Sequence, residues 1–178
     1  MHVKAKKMAF GGMLLALTIV CMLLGSVIET STLFLLAAAS FFVGIILREF
    51  GEKTGVAFYL AGVLLGLMVA PNKFYVLSYA AMGLYILAIE LAWPRLGKMS
   101  ETANRKRWFW IIKYAVFNVI FIPAVVFLQE LLFAKQLSAL VLLIVLLAGQ
   151  LGLFIYDRAY EFFQREMWGK VRGRFFRG

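Results

Sequence analysis

Six apolar runs, broken by short polar interruptions, make up most of the chain. They are Met8–Ile28, Leu33–Leu47, Thr54–Ala70, Phe74–Trp93, Trp108–Gln129 and Leu137–Tyr156. A helix needs about 20 residues to cross the hydrocarbon core, with a range near 17–25. Five runs meet that range and predict crossing helices. Leu33–Leu47 is short. It is either re-entrant or a crossing helix whose polar flanks snorkel to the interface. The sequence has 178 residues, 63% of them hydrophobic, against about 45–50% in a soluble domain. Too few polar residues remain to coat a water-facing surface. The expected fold is an all-α, polytopic membrane helix bundle with six transmembrane helices.

The loop charges orient the spans. With six crossings and both termini cytoplasmic, Lys4, Lys6, Lys7, Arg48 and Lys53 fall inside. So do five cations between 94 and 107 (Arg95, Lys98, Arg105, Lys106, Arg107) and six from Arg158 to Arg177. Lys73 and Lys135 fall outside, and Lys113 lies in the first turns of the fifth run. This strong positive-inside bias favours six crossings. If the second run did not cross, the five-cation loop would move outside. The N-terminal lysines before an apolar run resemble a secretory signal. No small-x-small cleavage site follows, so the segment reads as a retained first helix. One membrane domain, 1–157, is expected, followed by a basic aromatic cytoplasmic tail, 158–178.

Pro71-Asn72-Lys73 reads as a tight external turn between the third and fourth spans, where proline ends one helix. Lys73 is there either an interface anchor or a contact for an anionic ligand. Other polar side chains lie in the spans, where such groups are costly and raise a functional hypothesis. Tyr114, Asn118 and Gln129 share a stripe of the fifth span at helical spacing. Tyr75, Ser78, Tyr79 and Met82 form a stripe on the fourth. Thr18, Met22, Gly25 and Glu29 form one on the first. Glu29, Asn72, Lys73, Tyr75, Tyr79, Asn118 and Gln129 are therefore the candidate substrate-binding residues of an outward-facing cavity. It would be mostly apolar with a few convergent polar groups. The competing reading makes the tyrosines an interfacial belt and Asn118 an interhelical hydrogen-bonder. Toward the inner side, Asp157 is expected to pair with a cytoplasmic arginine, Arg95 or Arg48, and Glu90 invites the same reading. Gln150 shares Asp157's face.

Small residues mark close helix contacts. They occur as Gly62-x-x-x-Gly66-x-x-x-Ala70 on the third span and as Ala9, Gly12 and Ala16 on the first. The tail mixes arginines and lysines with aromatic residues. Directly after a span this reads as anionic-lipid binding rather than nucleic-acid binding, with Gly169 and Gly173 expected to break its helix. One cysteine, Cys21, and one histidine, His2, leave almost no material for a metal site, and no metal or cofactor is expected. No G-x-x-x-x-G-K-[ST], H-E-x-x-H or G-x-S-x-G occurs, so neither a nucleotide loop nor these hydrolase motifs are present. The chain is not expected to be an enzyme.

Six short spans, a basic N-terminus leading into a small-residue first helix, and binding groups toward the outside resemble a known class. So do "KMAFGGMLLALT" (7–18), "PNKFYVLSYAAMGLY" (71–85), "KYAVFN" (113–118) and "GQLGLFIYDRAY" (149–160). They look like the S component, the substrate-binding membrane subunit, of energy-coupling factor transporters. That resemblance implies a bacterial cell-membrane protein that binds a vitamin-like small molecule. It implies partnership with a transmembrane coupling subunit and two ATPase subunits. The small-residue face of helix one, here Ala9, Gly12 and Ala16, would meet the coupling subunit. The family pattern is Ala-x-x-x-Ala, and Gly12-x-x-x-Ala16 departs from it while keeping both residues small. The alternative class is a non-transport membrane scaffold of cell-wall or division machinery.

Overall fold

The computed structural model describes residues 2–97, 102–127 and 138–176. Among the described residues the chain is all-α, with six helices long and apolar enough to cross a membrane. They are α1 (His2–Val27), α2 (Thr32–Phe50), α3 (Glu52–Val69), α4 (Lys73–Leu96), α5 (Thr102–Phe127) and α6 (Ala139–Phe162). A π-helical segment, Phe163–Trp168, and α7 (Gly169–Phe176) continue from α6. Many large apolar side chains on these helices are exposed, as lipid-facing surfaces require. The chain divides into two compact units, Met1–Arg95 and Leu96–Gly178.

The first unit is built around α2. Nine consecutive residues, Ala39 to Leu47, are buried, so this half of the helix is enclosed on every side. Its 19 residues span about 28 Å at 1.5 Å per residue, enough to cross. The apolar run looked short because Arg48 and Glu49 interrupt the hydropathy within a helix that continues to Phe50. Arg48 meets Glu90 of α4 in a two-pronged pair, with Nε to Oε2 at 2.9 Å and Nη2 to Oε1. This is the arginine partner expected for Glu90. A single residue, Gly51, turns α2 into α3 at φ +87°, in the left-handed region that glycine adopts without steric cost.

The glycines of α3 meet helices of the same chain. A Cβ on Gly62 would lie 2.5 Å from the Tyr79 hydroxyl of α4. One on Gly66 would lie 2.9 Å from Met22 Sδ of α1 and 3.1 Å from Val76 of α4. These hydrogens-only positions let three backbones close together. Three small hydroxyls of this unit are satisfied within helices or across a short turn. Thr18 Oγ1 donates to Leu14 O (2.9 Å), Ser40 Oγ to Ala37 O (2.6 Å), and Thr32 Oγ1 to Gly25 O (2.7 Å). Such bonding to carbonyls of a preceding turn is the ordinary way a helix tolerates these residues.

In the second unit α5 and α6 pair antiparallel. The ring of Phe121 occupies the space that a Cβ on Gly149 would need, and Trp110 stacks on Phe154 with centroids 6.2 Å apart. Gly169 is helical (φ −54°, ψ −39°), and its N–H donates to Gln164 O. The expected break at Gly169 and Gly173 is therefore absent. The helix runs on through the π segment because glycine weakens a helix without forbidding it.

Candidate functional site

The turn at the end of α3 is made by its own polar residues. Ala70 N–H donates to Gly66 O at 2.8 Å, closing α3. Carbonyls in the last turn of a helix lack intrahelical donors. The exposed Lys73 ammonium supplies them, donating to Leu67 O at 2.6 Å and to Ala70 O at 2.9 Å. A cation there also complements the negative end of the helix dipole. Asn72 Oδ1 accepts from Phe74 N–H at 3.0 Å, the side-chain cap favoured at a helix start. Asn72 and Lys73 thus fasten both sides of the turn, one for α4 and one for α3.

Tyr75 and Tyr79 project from the next turns of α4, Tyr75 half-buried and Tyr79 fully buried. The Tyr79 ring lies 6.4 Å from that of Tyr59, whose hydroxyl donates to Ala80 O at 3.0 Å. The Tyr79 hydroxyl has no hydrogen-bond partner among the described residues. Buried polar atoms are paired in the great majority of cases, so this oxygen stands out. Thr18 and Met22 are also fully buried, inside the packing of the first unit and not on an open wall. Glu29 opens a single 3₁₀ turn, Glu29–Ser31, and its side chain lies outside the description.

Asn118 belongs to the second unit. Its amide exchanges hydrogen bonds with Gln150 of α6. Gln150 Nε2 donates to Asn118 Oδ1 at 2.8 Å, and Asn118 Nδ2 donates to Gln150 Oε1 at 3.4 Å and to Tyr114 O at 2.9 Å. This is the interhelical reading of Asn118. Gln129 lies outside the described residues. The seven candidate ligand residues therefore fall on two units. The structure brings Asn72, Lys73, Tyr75 and Tyr79 to one end of the first, and sets Asn118 in the helix pair of the second.

The most concentrated chemistry was missed by the sequence reading. Lys113 of α5 is 2% exposed and Asp157 of α6 is 0% exposed, with Nζ and Oδ2 2.7 Å apart. The same ammonium reaches Glu161 Oε1 at 3.0 Å and lies 4.5 Å and 4.9 Å from the ring centroids of Phe109 and Trp110. Asp157 therefore pairs with Lys113, a partner that the loop charges did not suggest. The lysine of the adjacent antiparallel helix sits at the matching level of the α5–α6 seam and is already desolvated. Arg158 joins through Glu161 Oε2 at 3.1 Å. Two cations thus balance two carboxylates. The amide pair and the ion cluster are two polar contacts on the α5–α6 seam that together fix the register of α5 on α6. Asn118 lies five residues from Lys113 on α5, about one and a half turns, and Gln150 seven residues from Asp157 on α6, about two turns.

No group of three or more histidine, cysteine, aspartate or glutamate side chains is arranged to hold a metal ion among the described residues. Comparison with models of known protein families, with curated proteins and with solved structures returns no match.

Proposed function

We propose that the chain is the membrane-embedded substrate-binding subunit of an uptake system for a small, vitamin-like and anionic molecule, working with a separate coupling subunit and two ATPases. The observation that carries this reading is a contrast between the two small-residue faces. The α3 face is filled from within the chain, by Met22, Val76 and Tyr79. The α1 face is not: Ala9, Gly12 and Ala16 are all exposed, and a Cβ on Gly12 would meet nothing within 4 Å. An exposed stripe that lets backbones approach closely suits a helix of another subunit. The unpartnered Tyr79 hydroxyl supports a polar ligand atom or water reaching the first unit's interior. Lys73 keeps its charge exposed beside that end, where it would favour an anion approaching from outside.

A second reading, a scaffold of cell-wall or division machinery, draws support from the unbroken helix that carries the basic tail away from the spans. The deciding experiment is a mild-detergent pull-down from native membranes with wild type and Gly12→Leu. The transport reading expects wild type to bring down a coupling subunit and two ATPases, and Gly12→Leu to lose them while staying folded. An intact bait that captures only wall or division proteins would refute transport. Loss of function on deleting residues 161–178, with ATPase capture absent, would favour the scaffold.

A further inference from the structure

We propose that the basic end of the α5–α6 pair is a binding surface for the phosphate of an anionic phospholipid, centred on Arg158 and Trp110. The site lies on the helix pair itself, not on the distal tail. It stands independently of the transport reading.

Arg158 is 56% exposed on its side chain, yet it is held in place. Its guanidinium carbon lies 5.8 Å from the Trp110 ring centroid and 5.3 Å from that of Phe154, two rings stacked on each other. Cation–aromatic contacts act within about 6 Å. Glu161 engages one terminal nitrogen, Nη1. A guanidinium carries five N–H donors in a planar fork that matches phosphate oxygens. A fork pinned against rings and open to solvent is prepared for such a ligand.

Other cations converge on the same surface. Lys106 and Arg107 precede Trp110 by four and three residues, which places them on its side of α5, and both are exposed. Arg165, in the π segment that follows α6, is exposed and pairs with Glu166 at 3.2 Å. Glu161 is the carboxylate nearest the site, and Lys113 already bridges it to Asp157. The surplus positive charge at this end therefore comes from Lys106 and Arg107 of α5.

Depth selects lipid over a soluble anion. Arg158 lies 19 residues beyond the start of α6, about 28 Å along the axis. That distance matches a hydrocarbon core about 30 Å thick, so Arg158 reaches the phosphate layer, and Trp110, beside Arg158, sets Lys106 and Arg107 at or just past the same level. Aromatic rings at that level are typical of the interface. Arg172 is 14 residues past Arg158, about 21 Å farther out. That is beyond the headgroups and more than a Debye length, about 8 Å at physiological salt.

The test uses the purified full-length protein in neutral detergent. Native mass spectrometry counts bound phosphatidylglycerol and phosphatidylcholine at about 0.15 M salt. The proposal expects a clear preference for phosphatidylglycerol. Arg158→Gln and the pair Lys106→Gln/Arg107→Gln should each lower that preference about fivefold or more, from the weight of a cation near an anionic surface. Arg172→Gln/Arg174→Gln should change it less than about twofold, given the screening length. The Lys106/Arg107 variant keeps the test decisive if Arg158→Gln does not fold. The proposal is overturned by equal binding of the two lipids, or by a distal pair that costs as much as the proximal one. It is also overturned if inorganic phosphate displaces phosphatidylglycerol at comparable concentration, which would mean a free-anion site.

Discussion

The hydroxyl of Tyr79 stands where a side chain on Gly62 would have to go, at 2.5 Å from the position of a Cβ. Tyr79 is fully buried, so its ring cannot swing into solvent to make room. Gly62→Ala should therefore destabilise the protein by about 1–3 kcal/mol, the usual cost of overpacking. Tyr79→Phe removes the clashing atom, and that atom has no partner to lose among the described residues. The double variant should recover most of the loss in thermal unfolding in detergent. Additive losses would show that the hydroxyl is not the obstacle. Lys73 gives a second residue-scale expectation. It caps α3 through Leu67 O and Ala70 O, so Lys73→Ala should cost about 0.3–1 kcal/mol of stability, the range for a cation at an exposed helix end. Arginine at 73 should retain most of it. If the melting temperature is unmoved and ligand affinity falls, the ammonium serves the ligand first. The sequence showed the turn and the cation at 71–73. It did not show the cap, because which carbonyls a lysine reaches depends on how α3 ends in space, not on spacing along the chain.

At the scale of elements, the α5–α6 pair rests on charges that hydropathy treats as flaws in a span. Removing one partner of a buried ion pair leaves the other charge uncompensated, at a cost of about 3–5 kcal/mol, while replacing both with apolar groups of similar size is often neutral or stabilising. Lys113→Met should accordingly be severely destabilised. Lys113→Met/Asp157→Leu should regain most of that loss in the same thermal assay, with Glu161 still held by Arg158. Failure of the second change to rescue the first would mean that the cluster does more than join the two helices. One signal for this pair was present in the sequence. Gln150 and Asp157 mark one face of α6, and an antiparallel neighbour that pairs Asn118 with Gln150 brings Lys113 to the level of Asp157. The register itself was not legible, since charge complementarity alone offered Arg95 and Arg48 equally well. The face of α3 was easier to read. Gly62, Gly66 and Ala70 recur at four-residue spacing and turn up buried, because small residues at that period have few structural uses other than close packing.

For the whole molecule, hydropathy located the six apolar runs, because a crossing helix must be both long and apolar, and the loop charges decided that the short second run is a span. The division at Arg95 and Leu96 left no such trace, since it depends on which helices touch. Sidedness rests on the distribution of lysine and arginine and can be measured directly. The chain has one cysteine, Cys21, which is buried in α1 and should react slowly. In a Cys21→Ala background, Asn72→Cys should be labelled by a membrane-impermeant maleimide in intact cells. Lys106→Cys should be labelled only after the membrane is opened. Lys106 is exposed, so protein packing would not hide it. Two further positions separate the possible errors. Thr30→Cys, exposed between α1 and α2, should be labelled in intact cells, and Thr54→Cys, at the start of α3, should behave like Lys106→Cys if α2 crosses. If α2 did not cross, positions 54 and 72 would exchange sides, and so would 106. Reversal of every label would mean that the cation count had misled the orientation. Reversal of those beyond α2 alone would mean that its 19 residues, enclosed and polar-flanked, turn back within the bilayer.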